Sequence, residues 1–192
     1  MNQEKTGILL DDYKIENLLG TGSSGVVYKV RHMKLDTLFA VKAPYGLRAS
    51  TQRAKRLFFR EIRTWIDLPQ HPNITTCHFV KTWQGKILVF AELVEGGSLT
   101  DLVENRKLLN IKDVLDVAIQ FAWGLHAAHS QKVVHKDVKP ANLLISNENV
   151  AKITDFGLAR VHELPQESNA ETDQIREKAK VKSVNDSTIS SG

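Results

Sequence analysis

The chain has 192 residues, 42% of them hydrophobic and 25% charged, and a formal net charge of +4. That balance is ordinary for a globular chain and long enough to bury a core. The one cysteine, Cys77, excludes an intrachain disulfide and suits a reducing, cytoplasmic setting. No run of about 18 apolar residues suggests a membrane helix, and the first twelve residues lack a secretory core.

Short β-rich runs dominate the first half. Residues 13–19, 26–32, 38–43, 78–83 and 86–91 read as five strands. Between the third and fourth, Leu57, Phe58, Ile62, Trp65 and Ile66 recur at helical spacing, which predicts one helix over 51–68, ended by His71-Pro72-Asn73. Arg48, Arg53, Lys55, Arg56, Arg60 and Arg63 crowd this segment. With no recognition motif beside them they read as a solvated helix face, and no nucleic-acid partner is expected.

The periodicity changes after Gly96-Gly97, a pair that suits a hinge between two units. Ser98 is placed to cap a short helix. Val114, Leu115, Ala118, Phe121, Ala122 and Leu125 then define a longer amphipathic helix over 111–131. Val133-Val134, 143–145 and 150–153 read as brief strands flanking polar loops. From Glu163 the chain turns polar, a composition expected of disorder.

Three clusters carry chemistry. Gly20-Thr21-Gly22-Ser23-Ser24-Gly25 is a G-x-G-x-x-G loop, a weak signal alone because dinucleotide-binding folds share it. Here a strand-like Val26-Val27-Tyr28-Lys29-Val30 follows where a dinucleotide fold needs a helix, so the loop reads as a strand-loop-strand flap whose amides approach phosphate. On the next strand Ala40 and Lys42 share a face. A lysine drawn toward phosphates needs a carboxylate, and Glu61 on the intervening helix is the candidate. Finally, Asp137, Lys139 and Asn142 sit in one loop. Asp137 suits orientation of a hydroxyl, Lys139 neutralisation of phosphoryl charge, and Asn142 offers a hard oxygen to Mg²⁺. Asp155-Phe156-Gly157 adds a carboxylate for the metal.

The ordered set Gly20 to Val27, Val41-Lys42, Glu61, His135 to Asn142 and Asp155 to Gly157 resembles the protein-kinase signature, from about Tyr13 to Arg160. The resemblance implies an α+β, two-lobe fold: an N-lobe at 13–95 with a five-stranded antiparallel sheet and one helix, after an N-terminal extension at 1–12. A partial, mostly helical C-lobe at 96–162 and an activation-segment tail at 163–192 would follow. It implies that Lys42 contacts ATP phosphates and pairs with Glu61, that Asp137 and Lys139 are catalytic, and that Asn142 and Asp155 hold magnesium. Residues 20–25 would cover the phosphates. Leu18, Leu19, Val27, Ala40 and Leu144 would enclose the adenine, Glu92 and Leu93 would be its hinge, and the small Ala91 before them would leave an open back pocket.

The pattern Asp-x-Lys-Pro-x-Asn is similar to serine/threonine kinases, so the implied partners are ATP and a protein with a Ser or Thr acceptor. The hinge run looks most like bacterial kinases of the eukaryotic type. Two departures stand out. Lys136 replaces the family's arginine, a planar fork exchanged for a point charge, which bears on activation by loop phosphorylation at acceptors such as Thr172, Ser183, Ser187 or Thr188. No Ala-Pro-Glu appears by Gly192, so the C-lobe is expected to be incomplete, with the apolar face of 111–131 partly uncovered. The alternative to catalysis is a nucleotide- or partner-binding fragment without turnover.

Overall fold

The computed structural model describes residues 9–22, 25–45, 52–105 and 110–156. Ser23, Ser24, Gly157, the acceptor candidates and the 163–192 tail lie outside the described residues. All five expected strands form: β2 (Tyr13–Gly22), β3 (Gly25–His32), β4 (Thr37–Pro44), β5 (Cys77–Trp83) and β6 (Lys86–Glu92). A two-residue strand, β1 (Leu9–Leu10), adds to the edge of the same antiparallel sheet, in the order β1-β2-β3-β4-β6-β5. Helix α1 (Gln52–Ile66) crosses between β4 and β5.

Each face of the sheet is packed. On one side Leu10, Ile15, Val30, Phe39, Val41, Leu88 and Phe90 form a cluster in which Phe79 stacks on Phe90 at 4.6 Å. On the other, Phe58, Ile62 and Trp65 of α1 meet Cys77, Ile87, Val89 and Ala91, and the same cluster continues into the second half through Ala128, Leu143, Ile153 and Phe156. The Trp65 indole N–H donates to the buried Thr75 carbonyl at 2.8 Å, which ties α1 to the connection before β5.

The second half comprises α2 (Leu99–Glu104), α3 (Ile111–Ser130), a 3₁₀ turn (Pro140–Asn142) and the hairpin β7 (Leu143–Ile145) with β8 (Ala151–Ile153). Ser98 caps α2 as expected, its side chain accepting from the Asp101 N–H while the Asp101 carboxylate accepts from Ser98. The glycine pair lies at the seam between the halves, where the Gly97 carbonyl accepts from the Ile145 N–H at 2.8 Å. Val133-Val134 is not a strand: the Val133 N–H donates to the Ala128 carbonyl, closing the end of α3. Helix-terminus bonding takes the amide that a ladder would need.

Helix α3 meets β8 through its small residues, Gly124 and Ala128 being its buried positions. A Cβ built at Gly124 would lie 2.6 Å from the Asn73 carbonyl oxygen and 2.8 Å from the Ile153 side chain. Its opposite face carries Ile111, Leu115, Ile119 and Trp123 at four-residue spacing, all more than half exposed. No helix among the described residues is long and apolar enough to cross a membrane.

Candidate active site

Strand β4 is held between β3 and β6, with Lys42 opposite Val27 on one side and Val89 on the other. Alternation puts Ala40 on the same face. Lys42 is 7% exposed, and its ammonium donates to Asp155 Oδ2 at 2.5 Å. The expected partner Glu61 lies on α1, but its side chain is outside the described residues.

Asp155 follows β8, which is stitched to the segment before β5. The Ile153 N–H donates to the Asn73 carbonyl at 2.9 Å, and the Thr75 N–H and hydroxyl both donate to the Ile153 carbonyl, at 2.9 and 2.8 Å. The backbone of Asp155 is left-handed, φ +66°, as is that of Lys136 at +69°. Such conformations cost free energy away from glycine and persist where neighbours over-determine them. For Asp155 the neighbours are on each side: Lys42 holds its carboxylate, and Phe156 next to it is fully buried with its ring 4.6 Å from that of His135.

His135 joins the loops. Its Nε2 is 2.8 Å from the Thr154 carbonyl oxygen, while its Nδ1 accepts from the Asp137 N–H at 3.2 Å. A carbonyl demands a donor and an amide N–H demands an acceptor, so the two bonds select the neutral imidazole protonated on Nε2. Burial also pushes its pKa down, against the opposing effect of the Thr154 carbonyl.

The 3₁₀ turn, opened by Pro140, brings Asn142 back toward Asp137. Asn142 is 6% exposed, and its amide NH₂ donates to the Asp137 carbonyl at 2.8 Å and to Asp137 Oδ2 at 3.0 Å. The Lys139 ammonium lies 2.7 Å from the same Oδ2. The Thr154 N–H donates to the Asn142 carbonyl at 3.0 Å, linking this turn to the Asp155 strand end. Asp137, Lys139, Asn142 and Asp155 are thus brought together in one hydrogen-bonded unit with Lys42.

The glycine loop is a hairpin, Gly20 pairing with Val27 and Gly22 with Gly25. Among the described residues nothing lies within 4 Å of a Cβ built at Gly20 or Gly22, so the ribbon is open on the side those positions share. At Gly25 a Cβ would come within 2.5 Å of the Ala43 carbonyl oxygen, which restricts the position to glycine. Leu18 and Leu19 are close to half exposed. Ala40 pairs with Ala91, and Ala91 with Cys77, across three strands. Burial drives the Cys77 thiol up to about 12, with the negative charge of Asp155 adding to the effect.

Glu92 ends β6 and Leu93 follows, half-buried. The Glu92 N–H donates to the Thr76 carbonyl at 2.9 Å, and its carboxylate accepts from the Thr76 N–H at 3.2 Å. Lys152 of β8, absent from the motif reading, lies 2.8 Å from Glu92 Oε1. Nothing in its sequence context singles it out, since its partner is distant in the chain and strand lysines are usually solvated. Leu144, half-buried, is its cross-strand neighbour.

The fold and site define a class: a β-rich unit and a helical unit with a buried lysine, a buried amide and half-buried carboxylates gathered between them. The protein kinase domain family matches residues 13–177, and the chain belongs to that family. Among curated relatives, it is 33% identical over 163 residues to mitogen-activated protein kinase kinase 9 of Arabidopsis thaliana, covering 81% of this chain and 49% of that protein. It is 32% identical over 153 residues to a probable serine/threonine-protein kinase of Clostridium perfringens, covering 80% and 22%. The crystal structure of the PknI kinase domain of Mycobacterium tuberculosis superposes with a TM-score of 0.68 at 27% identity, over 80% of this chain and 61% of that one. The chain spans about half the length, or less, of the curated relatives it matches.

Proposed function

We propose that the chain carries the nucleotide site and catalytic loop of a protein serine/threonine kinase, moving the γ-phosphoryl group of ATP to a Ser or Thr hydroxyl. The observation that carries this reading is the continuous set of contacts Lys42–Asp155 and Lys139–Asp137–Asn142, joined through Thr154. The open side of Gly20 and Gly22 suits close approach of phosphate oxygens to backbone amides.

The donor chemistry fits magnesium. Asn142 uses its NH₂ on Asp137, leaving the amide oxygen as its acceptor, and Asp155 supplies a carboxylate. Both are hard oxygen ligands, and Mg²⁺ is commonly held by one or two such groups plus substrate phosphates. When bound there, the ion would neutralise phosphate charge.

Lys42 would hold the non-transferred phosphates. Asp137 would accept the hydroxyl proton as the acceptor oxygen bonds to the γ-phosphorus and the bond to the β–γ bridging oxygen breaks, releasing ADP. Lys139 would offset charge on the moving group while fixing the Asp137 carboxylate. Glu92 and Leu93 would meet the adenine through backbone groups, with Leu19, Val27, Ala40 and Leu144 around it. A cytoplasmic location accords with the lone buried Cys77.

Transfer of ³²P from ATP to a generic basic protein, comparing the parent chain with Asp155→Asn, tests the reading. Loss of at least about 100-fold is expected, the scale of removing a transition-state charge partner. Transfer untouched by the substitution would refute it. Nucleotide binding without any transfer would favour the binding-only alternative, to which the exposed Ile111, Leu115, Ile119 and Trp123 stripe lends weight.

A further inference from the structure

We infer that Lys152 and Glu92 form a positioning strut that sets the adenine-side hinge at a fixed distance from the strand leading to Asp155. The inference rests on the phosphotransfer reading and adds to it an ion pair whose lysine no kinase motif in the sequence marks.

Four observations converge on the pair. The Lys152 ammonium lies 2.8 Å from Glu92 Oε1, and the two side chains retain 18% and 29% of their exposure. The contact is therefore partly desolvated and stronger than a surface ion pair. The other carboxylate oxygen of Glu92 accepts from the Thr76 N–H, so the glutamate is held at two points. Thr75, next along, binds the Ile153 carbonyl through both its N–H and its hydroxyl. Lys152 pairs across the β7–β8 hairpin with Leu144, on the proposed floor of the adenine site.

These contacts close a ring: Glu92 to Thr76, Thr75 to Ile153, and Lys152 back to Glu92. One side of the ring is the hinge and the other ends two residues before Asp155. A bound nucleotide must satisfy the hinge with its base and Asp155, through the metal, with its phosphates. A ring of fixed size makes those demands compatible before the ligand arrives. Neither Lys152 nor Glu92 needs to touch the reacting atoms through its side chain, so each acts through the groups it holds.

The test is the gain in affinity for a fluorescent N-methylanthraniloyl-ATP on adding Mg²⁺, measured on the parent, Lys152→Met, Lys152→Arg and Glu92→Gln, with a thermal melt for each. Glu92→Gln keeps an acceptor for Thr76 while removing the charge. The strut predicts that Lys152→Met and Glu92→Gln each shrink the Mg²⁺-dependent gain about fivefold or more, that the double variant loses little further, and that Lys152→Arg restores most of it. A gain unchanged in both single variants, with only the melting temperature lowered, would overturn the strut and leave the functional reading standing. A parent chain that binds no nucleotide with or without Mg²⁺ would overturn both. A gain that shrinks in both single variants while the parent binds nucleotide but transfers no phosphoryl group would support the strut and count against turnover.

Discussion

Lys42 and Asp155 lie 113 positions apart in sequence, yet the ammonium of one donates to the carboxylate of the other at 2.5 Å. The pair fastens β4 in the sheet to the end of β8. Its cation is nearly buried, and removing one member leaves the other without its charge partner.

Lys42→Met is therefore expected to reduce phosphoryl transfer by about 100-fold or more. It should also lower stability, by up to about 3–5 kcal/mol in the limit of a fully buried pair and less here because Asp155 is partly solvated. Transfer assays and urea melts on the same preparation separate the two effects. Transfer within threefold of the parent would remove Lys42 from the machinery.

Asn142 holds Asp137 through two hydrogen bonds from one amide. Asn142→Leu preserves bulk, removes both, and withdraws the proposed metal oxygen. A fall in kcat of about 100-fold is expected, with the Mg²⁺ requirement shifted to higher concentration. If the fall in kcat came with an unchanged Mg²⁺ requirement, Asn142 would be an orienting group alone.

His135 is neutral where it sits, and its pKa is lowered by burial. The unfolded chain protonates its histidine at about 6.5. Between that value and the lower folded one, the unfolded state binds more protons, so stability rises with pH in this window and levels off above it. Urea melts from pH 5 to 8 should show this slope, at most about 1.4 kcal/mol per pH unit from one group. His135→Phe should lose this part of the slope; an identical slope in the variant would assign it elsewhere.

Cys77 is buried, with a thiol pushed up to about 12. Since the thiolate is the nucleophile, iodoacetamide at pH 8 should leave the native chain largely unmodified and label it promptly in urea. Rapid native labelling would mean that the β5–β6 face opens locally.

Much of this was legible in the sequence because the family places its chemistry in short local motifs. The glycine hairpin, β4, the His135–Asn142 loop and Asp155 are each weak signals alone, and it is their order along the chain that places them. The strands followed from β-rich runs, and α1 ends before Pro72 as expected. What escaped was long-range or too short for a pattern. Leu9–Leu10 is two residues of strand, below any periodicity. Val133-Val134 has strand composition, but the end of α3 claims the Val133 amide. Lys152 gives no local sign of its partner, because that contact exists only after two distant strands have met.

Gly124 has a consequence for tolerance rather than chemistry. A hydrogen atom is the spacer between α3 and the Asn73–Ile153 crossing, two residues upstream of Asp155. The helix behaves as a flush-fitted backing plate, and a single methyl group is a shim driven behind the strand. Gly124→Ala, favourable in an isolated helix by about 1 kcal/mol, should here cost about 1–3 kcal/mol. It would set the alignment of the metal-side strand out of true without touching a proposed ligand-binding group.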